Sequence, residues 1–129
     1  MKRVFLPLLL LCLLLAACGA ETAAGKTTYT QITAEEAKSM MDEMADAVVL
    51  DVREQDEYEE KHIPGAVLLP VGTITADTAA AVIPAKDTVV LVYCRSGNRS
   101  KTASAALAEL GYTEVYEFGG INAWPYEIE

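Results

Sequence analysis

The 129-residue sequence has little with which to bind a metal, a nucleic acid or a redox partner. It holds one histidine, one tryptophan and three cysteines, and only 10 Lys and Arg against 19 Asp and Glu, a net charge of −9. Such an acidic balance excludes nucleic acid and anionic lipid headgroups as partners of the surface as a whole. No His, Cys and Asp cluster has metal-ligand spacing and no glycine motif fits a dinucleotide, so no metal and no cofactor is expected. Nor is there an apolar run long enough to span a bilayer. The uncharged, almost wholly apolar stretch over residues 4–17 falls short of the roughly 20 residues required. What is present suffices for one domain with a real core, because 52% of the residues are apolar and 22% are charged, outside the range of disordered chains.

Lys2 and Arg3 precede the apolar run, which ends in Leu15-Ala16-Ala17-Cys18. Basic pair, leucine block and small residues follow in the order of an export signal. The last four residues resemble the lipobox of bacterial lipoproteins, which implies cleavage before Cys18 and acylation of Cys18. Residues 1–17 are thus expected to be a signal peptide, 18–28 a flexible tether and 29–129 the folded domain. The tether is small and polar, with an rms reach of about 17–19 Å. Acyl chains, at about 0.8 kcal/mol per buried CH₂, would anchor a body too acidic to bind the membrane by itself. The expected location is extracytoplasmic, at the cell surface or in the periplasm. Cys12 then leaves with the leader and Cys18 is modified, so Cys94 is the one thiol left in a disulfide-permissive compartment.

Past the tether no repeat or low-complexity segment occurs, and strand and helix signals alternate. Thr33-Ala34-Glu35-Glu36 has capping-box spacing and opens a helix to about Met44. A short buried strand at Ala47–Leu50, a charged helix at Glu54–Lys61, a break at His62-Ile63-Pro64-Gly65 and a strand at Ala66–Leu69 follow. Thr75–Ala81 is compatible with a weak helix. Thr88 to Tyr93 is a nearly continuous β-branched run, the pattern of a parallel strand buried on both faces. From Arg99 to Leu110, Ala103, Leu107 and Leu110 recur at helical spacing, with Gly111 placed to cap. A last strand at Glu114–Phe118 leads to Gly119-Gly120 and Trp124. The alternation predicts an α/β fold with a largely parallel sheet.

In such sheets, sites form beyond the carboxyl ends of the strands. Cys94 falls immediately after one such end and Asp51 after another. Cys94-Arg95-Ser96-Gly97-Asn98-Arg99-Ser100 leads straight into a helix, whose free N–H groups favour an anion. Gly97 lets the loop curl so that successive N–H groups converge. Arg95, Arg99 and Lys101 make the segment a cationic island, with no acid between Asp87 and Glu109. A thiol held there should ionise more readily than a free one.

Leu50-Asp51-Val52-Arg53, Glu57-Tyr58, His62-Ile63-Pro64-Gly65-Ala66, Cys94 to Ser100, and Gly119-Gly120-Ile121-Asn122-Ala123-Trp124 together resemble the rhodanese (thiosulfate sulfurtransferase) family in its single-domain form. The match runs from about Tyr29 to Trp124. It implies a rhodanese-like α/β fold with helices on both faces of the sheet. It also implies a cycle in which the Cys94 thiolate takes the outer sulfur of thiosulfate or a related sulfane-sulfur donor, releases the remainder, and passes the sulfur to a thiol, cyanide or protein acceptor. By the same resemblance residues 95–100 cradle the sulfur, Arg95 and Arg99 orient the anionic donor, and Asp51 and Arg53 support the architecture. His62 belongs to a structural turn and Trp124 to the packing.

Related phosphatases use a Cys-x₅-Arg loop, whereas four residues separate Cys94 from Arg99, a ring sized for sulfur. A thiol–disulfide oxidoreductase is disfavoured because no resolving cysteine is available. The alternative within the fold is a non-turnover persulfide carrier or protein-interaction module.

Overall fold

The computed structural model describes residues 28–129. The expected leader, Cys12, Cys18 and nearly all of the expected tether lie outside the described residues. The elements run β1 (Thr30–Gln31), α1 (Ala34–Glu43), β2 (Val48–Asp51), α2 (Gln55–Glu60), β3 (Val67–Leu68), α3 (Ala76–Val82), β4 (Val90–Cys94), α4 (Asn98–Glu109) and β5 (Val115–Gly120), with single 3₁₀ turns at Val71–Thr73 and Ile121–Ala123. The five strands form one sheet in the order β1-β5-β4-β2-β3, every pairing parallel. β4 lies at its centre and is buried along its whole length, as its apolar run requires.

Local chemistry sets the helix ends. The Thr33 hydroxyl accepts the Glu36 N–H at 3.1 Å while the Glu36 carboxylate accepts the Thr33 N–H, the reciprocal box its spacing predicts. At the other end of the domain, Gly111 adopts φ +98°. This lets Tyr112 N–H reach the Leu107 carbonyl and Gly111 N–H the Ala108 carbonyl, a Schellman ending in which the buried Tyr112 and Leu107 join one core.

Strand alternation divides the core. Leu50, Val52, Val90 and Val92 pack against Ala79 of α3, Ile83 just past its end, and Ala103 and Leu107 of α4. Val49, Leu91, Tyr93 and Phe118 pack on the opposite face against Ala37 of α1 and Tyr58 of α2. Each fully buried large apolar side chain contributes about 1.5–3 kcal/mol. Two features depart from the expected elements. β1 is too short to carry a periodic signal and exists because its backbone finds β5, Gln31 lying opposite Glu117. β5 continues through Gly119 and Gly120, because a register shift in its pairing with β4 brings Gly120 beside Cys94.

Asp51 and Arg53 are a buried pair that ties three elements together. The Asp51 carboxylate accepts from the Arg53 backbone N–H at 3.0 Å, from Arg53 Nη2 at 2.7 Å and from the Tyr93 hydroxyl at 2.7 Å. Arg53 Nη2 also donates to the Lys61 carbonyl at 2.7 Å, and Tyr93 Oη accepts the Ile63 N–H at 3.1 Å. The ends of β2 and β4 are thereby fastened to the turn at His62–Gly65. Burial first, then Asp51 as acceptor of its hydrogen, push the Tyr93 phenol up, so it stays a donor. Asp51→Ala is expected to cost about 3–5 kcal/mol of unfolding free energy in urea titrations, because it strands a buried guanidinium. A loss below about 1 kcal/mol would show that Arg53 does not depend on this carboxylate.

Candidate active site

Cys94 is the last residue of β4 and only 1% exposed. The chain turns at Arg95–Gly97 and enters α4 at Asn98. Gly97 makes the turn possible with φ +106°, a left-handed conformation that a side chain would strain. In that conformation its N–H donates to Cys94 Sγ at 3.0 Å. The thiol lies 3.3 Å from the Ser100 hydroxyl. Burial pushes the Cys94 thiol pKa up, but the Ser100 hydroxyl and the backbone N–H groups of Ser100, Gly97 and Ser96 outweigh it, and the net shift is down, toward the thiolate.

The floor beneath this loop is the end of β5. A Cβ on Gly120 would lie 2.1 Å from the Arg95 carbonyl oxygen and 2.6 Å from the Ser96 nitrogen. Only glycine allows the two backbones to approach so closely. Just beyond, Asn122 N–H donates to the same Arg95 carbonyl at 3.2 Å. The sequence pairs Gly119 with Gly120, but their contact with the loop is visible only once the strands are registered.

The predicted loop residues are brought together, with unlike surroundings. Arg95, Ser96 and Asn98 are exposed, whereas Gly97 and Ser100 are buried. Among the described residues Arg95 makes no ion pair. Arg99 instead grips Glu57 of α2 with a two-point contact, Nη1 to Oε2 at 2.7 Å and Nη2 to Oε1 at 2.9 Å. Those bonds hold the Glu57 carboxyl down at about 2 against the opposing effect of burial. A cavity of about 140 Å³ beside the loop is lined by Arg53, Glu57, Glu60, Lys61, Arg95 and Asn122, with Ile121. A larger, open depression of about 520 Å³ sits between Glu43–Ala47 and Asp87–Val89, at the amino ends of β2 and β4, away from the thiol. Asp51 and Arg53 stand behind the loop as the buried pair described above. His62 stacks on Tyr58 with ring centroids 3.9 Å apart and pairs with Glu129, and Trp124 packs against Phe118.

Two residues of this region have no role at the site assigned from sequence. Glu57 enters the sequence reading only in a charged helix and in the Glu57-Tyr58 motif. Glu117 is 3% exposed and accepts the Ser100 hydroxyl at 2.6 Å and the Gly119 N–H at 2.8 Å. It shares a face of β5 with Val115, and strand parity alone does not mark that face as buried, because Tyr116 and Phe118 pack on the other.

Comparison with known proteins meets this geometry. Residues 33–126 match the rhodanese-like domain family, and the chain belongs to it. Over 115 residues it is 35% identical to the probable adenylyltransferase/sulfurtransferase MoeZ of Mycobacterium tuberculosis, which covers 87% of this chain but 29% of that longer protein. It is 38% identical over 97 residues to the thiosulfate sulfurtransferase GlpE of Coxiella burnetii, covering 74% of this chain and 87% of GlpE. A solved rhodanese with anions from E. coli superposes with a TM-score of 0.60 at 31% identity, over 64% of this chain and 96% of that one.

Replacing Gly120 tests whether the close approach builds the site. Gly120→Ala should keep its circular dichroism at a stability cost of about 1–3 kcal/mol from overpacking. The rate of Cys94 alkylation by iodoacetamide at neutral pH should fall about tenfold or more as Gly97 N–H leaves the sulfur. An unchanged rate in the folded variant would mean that β5 does not hold the loop in its reactive form.

Proposed function

We propose that the protein is a sulfurtransferase that moves sulfane sulfur from thiosulfate or a related donor to a nucleophilic acceptor through a persulfide on Cys94. The observation that carries this reading is the buried Cys94 sulfur with the Gly97 N–H on it at 3.0 Å, in a loop whose donors favour its ionised form. The sulfur's lone pair forms a bond to the outer sulfur of thiosulfate. The sulfur–sulfur bond of thiosulfate breaks, and its electron pair leaves with sulfite. An acceptor such as cyanide or a thiolate then bonds to the carried sulfur, and the Cys94 thiolate is regenerated. The N–H groups that favour the thiolate are placed to favour the negative persulfide as well. Arg95, exposed and in no ion pair among the described residues, is the loop cation placed to meet an anionic donor. Arg99, committed to Glu57, acts first to hold α2 against the loop and reaches a donor only by sharing its guanidinium. The name of GlpE supports thiosulfate as the donor to test first.

Incubation of the full chain with thiosulfate should add about one sulfur atom, roughly 32 Da, to the peptide containing Cys94, and Cys94→Ser should abolish both the adduct and thiocyanate formation from cyanide. Turnover that persists in Cys94→Ser would end the assignment.

The location belongs to the same proposal: a lipid on Cys18 would tether the catalyst outside the cytoplasm, close to a membrane. The support is the basic pair, apolar run and Leu15-Ala16-Ala17-Cys18. In cells, Cys18→Ser should move the protein from the membrane to the soluble or precursor fraction, whereas an unchanged membrane fraction would remove Cys18 as the anchor.

A further inference from the structure

The catalytic loop has an acid behind it that the sulfur chemistry above does not use. Glu117 is buried and, among the described residues, has no ion-pair partner. It accepts from the Ser100 hydroxyl at 2.6 Å, from Gly119 N–H at 2.8 Å and from the Gln31 amide at 3.5 Å. Every one of these bonds is accepted, the complement of an ionised carboxylate. A buried carboxylate without a cation needs a reason to be there.

Ser100 supplies it. Its hydroxyl has one hydrogen, and three acceptors lie in reach: Glu117 Oε1 at 2.6 Å, the Gly119 carbonyl at 3.3 Å and Cys94 Sγ at 3.3 Å. The shortest contact goes to the carboxylate, so the Ser100 oxygen turns a lone pair toward the sulfur and accepts from the thiol. When the thiol ionises, sulfur and carboxylate compete for one hydrogen across one hydroxyl, and two like charges face each other in a dry site. The groups packed around Glu117 do nothing to relieve this. β1 offers the uncharged Gln31 and β4 places Val92 opposite it. On α4, Arg99 is spent on Glu57 and Lys101 is exposed. Cys94 is the titratable group at the far end of the chain of bonds.

We propose that Glu117 is a positioning residue that acts through Ser100 to hold back thiolate formation at Cys94, keeping its sulfur a strong nucleophile and a poor leaving group. The proposal rests on Cys94 being the sulfur carrier. In loading, the thiolate attacks the donor's outer sulfur and sulfite departs with the bonding pair. In unloading, the acceptor takes that sulfur and Cys94 departs with the pair. A less stabilised thiolate speeds the first step and slows the second, so Glu117 biases the site toward holding sulfur.

Alkylation of Cys94 by iodoacetamide, followed against pH in the full chain by peptide mapping with no sulfur donor present, reads thiolate formation directly. Glu117→Gln keeps the acceptor oxygen and removes the charge. Its alkylation midpoint should fall by about one pH unit or more, whereas Glu117→Asp, which keeps the charge, should stay closer to wild type. A structural role alone would leave the midpoint in place. Above both midpoints, single-turnover loading from thiosulfate should be about 3-fold slower in Glu117→Gln and unloading to cyanide about 3-fold faster, following the thiol Brønsted slope over one unit. A folded Glu117→Gln whose midpoint is unchanged or higher overturns the proposal. Should Glu117→Gln fail to fold, ¹³C NMR of the wild-type Glu117 carboxyl reads the same coupling. A shift step at the Cys94 midpoint that vanishes in Cys94→Ser supports it, and no step overturns it. The alkylation arm uses no sulfur donor, so failure of Cys94 to form a persulfide while the midpoint shifts would count against sulfur transfer and leave the coupling standing.

Discussion

Gly120 lies so near the Arg95 carbonyl and the Ser96 nitrogen that no side chain can stand between them, and the site is built on that approach. The register shift that brings Gly120 beside Cys94 turns the end of β5 into a floor for the loop. With the floor fixed, Gly97 closes the turn from left-handed backbone and sets its N–H on the sulfur. The same strand end carries Glu117, so the contact that shapes the loop also puts a carboxylate behind Ser100. Packing and chemistry are one constraint here: a rigid sheet supplies position, and position turns an ordinary thiol into one that ionises readily.

Charge around the sulfur is divided by depth. Outside, Arg95 is exposed and Arg99 is paired with Glu57, so the mouth carries less free positive charge than a count of basic residues implies. Inside, among the described residues, no side-chain cation is bonded to the sulfur. Its stabilisation comes from the Ser100 hydroxyl, whose hydrogen Glu117 also claims, and from backbone N–H groups, fixed dipoles that need no reorganisation when the sulfur becomes negative. The buried Asp51–Arg53 pair carries a different burden, fastening β2 and β4 to the turn at His62–Gly65 without touching the thiol.

Much of this was legible in the chain. The β-branched run before Cys94 marked the central strand, the Thr33–Glu36 spacing marked a helix start, and a thiol followed by a glycine-bearing basic loop marked the site, because each is a local signal. What could not be read depended on partners distant in sequence. β1 has two residues and no periodicity of its own. The path of β5 through Gly119 and Gly120 follows from its register with β4. Arg99 reads as a free cation until α2 is seen to bring Glu57 to it, across 42 positions. Glu117 reads as a surface acid in a short strand until its face is known.

The central claim is that the Cys94 sulfur, cradled by its loop, attacks the donor and keeps the transferred atom. Rapid mixing of the protein with excess thiosulfate and no acceptor, with sulfite release followed in time, tests it most directly. The account predicts a burst of about one sulfite per Cys94 and then a halt, as covalent catalysis requires. Sulfite release without a burst, or a burst of equal size in Cys94→Ser, would contradict it.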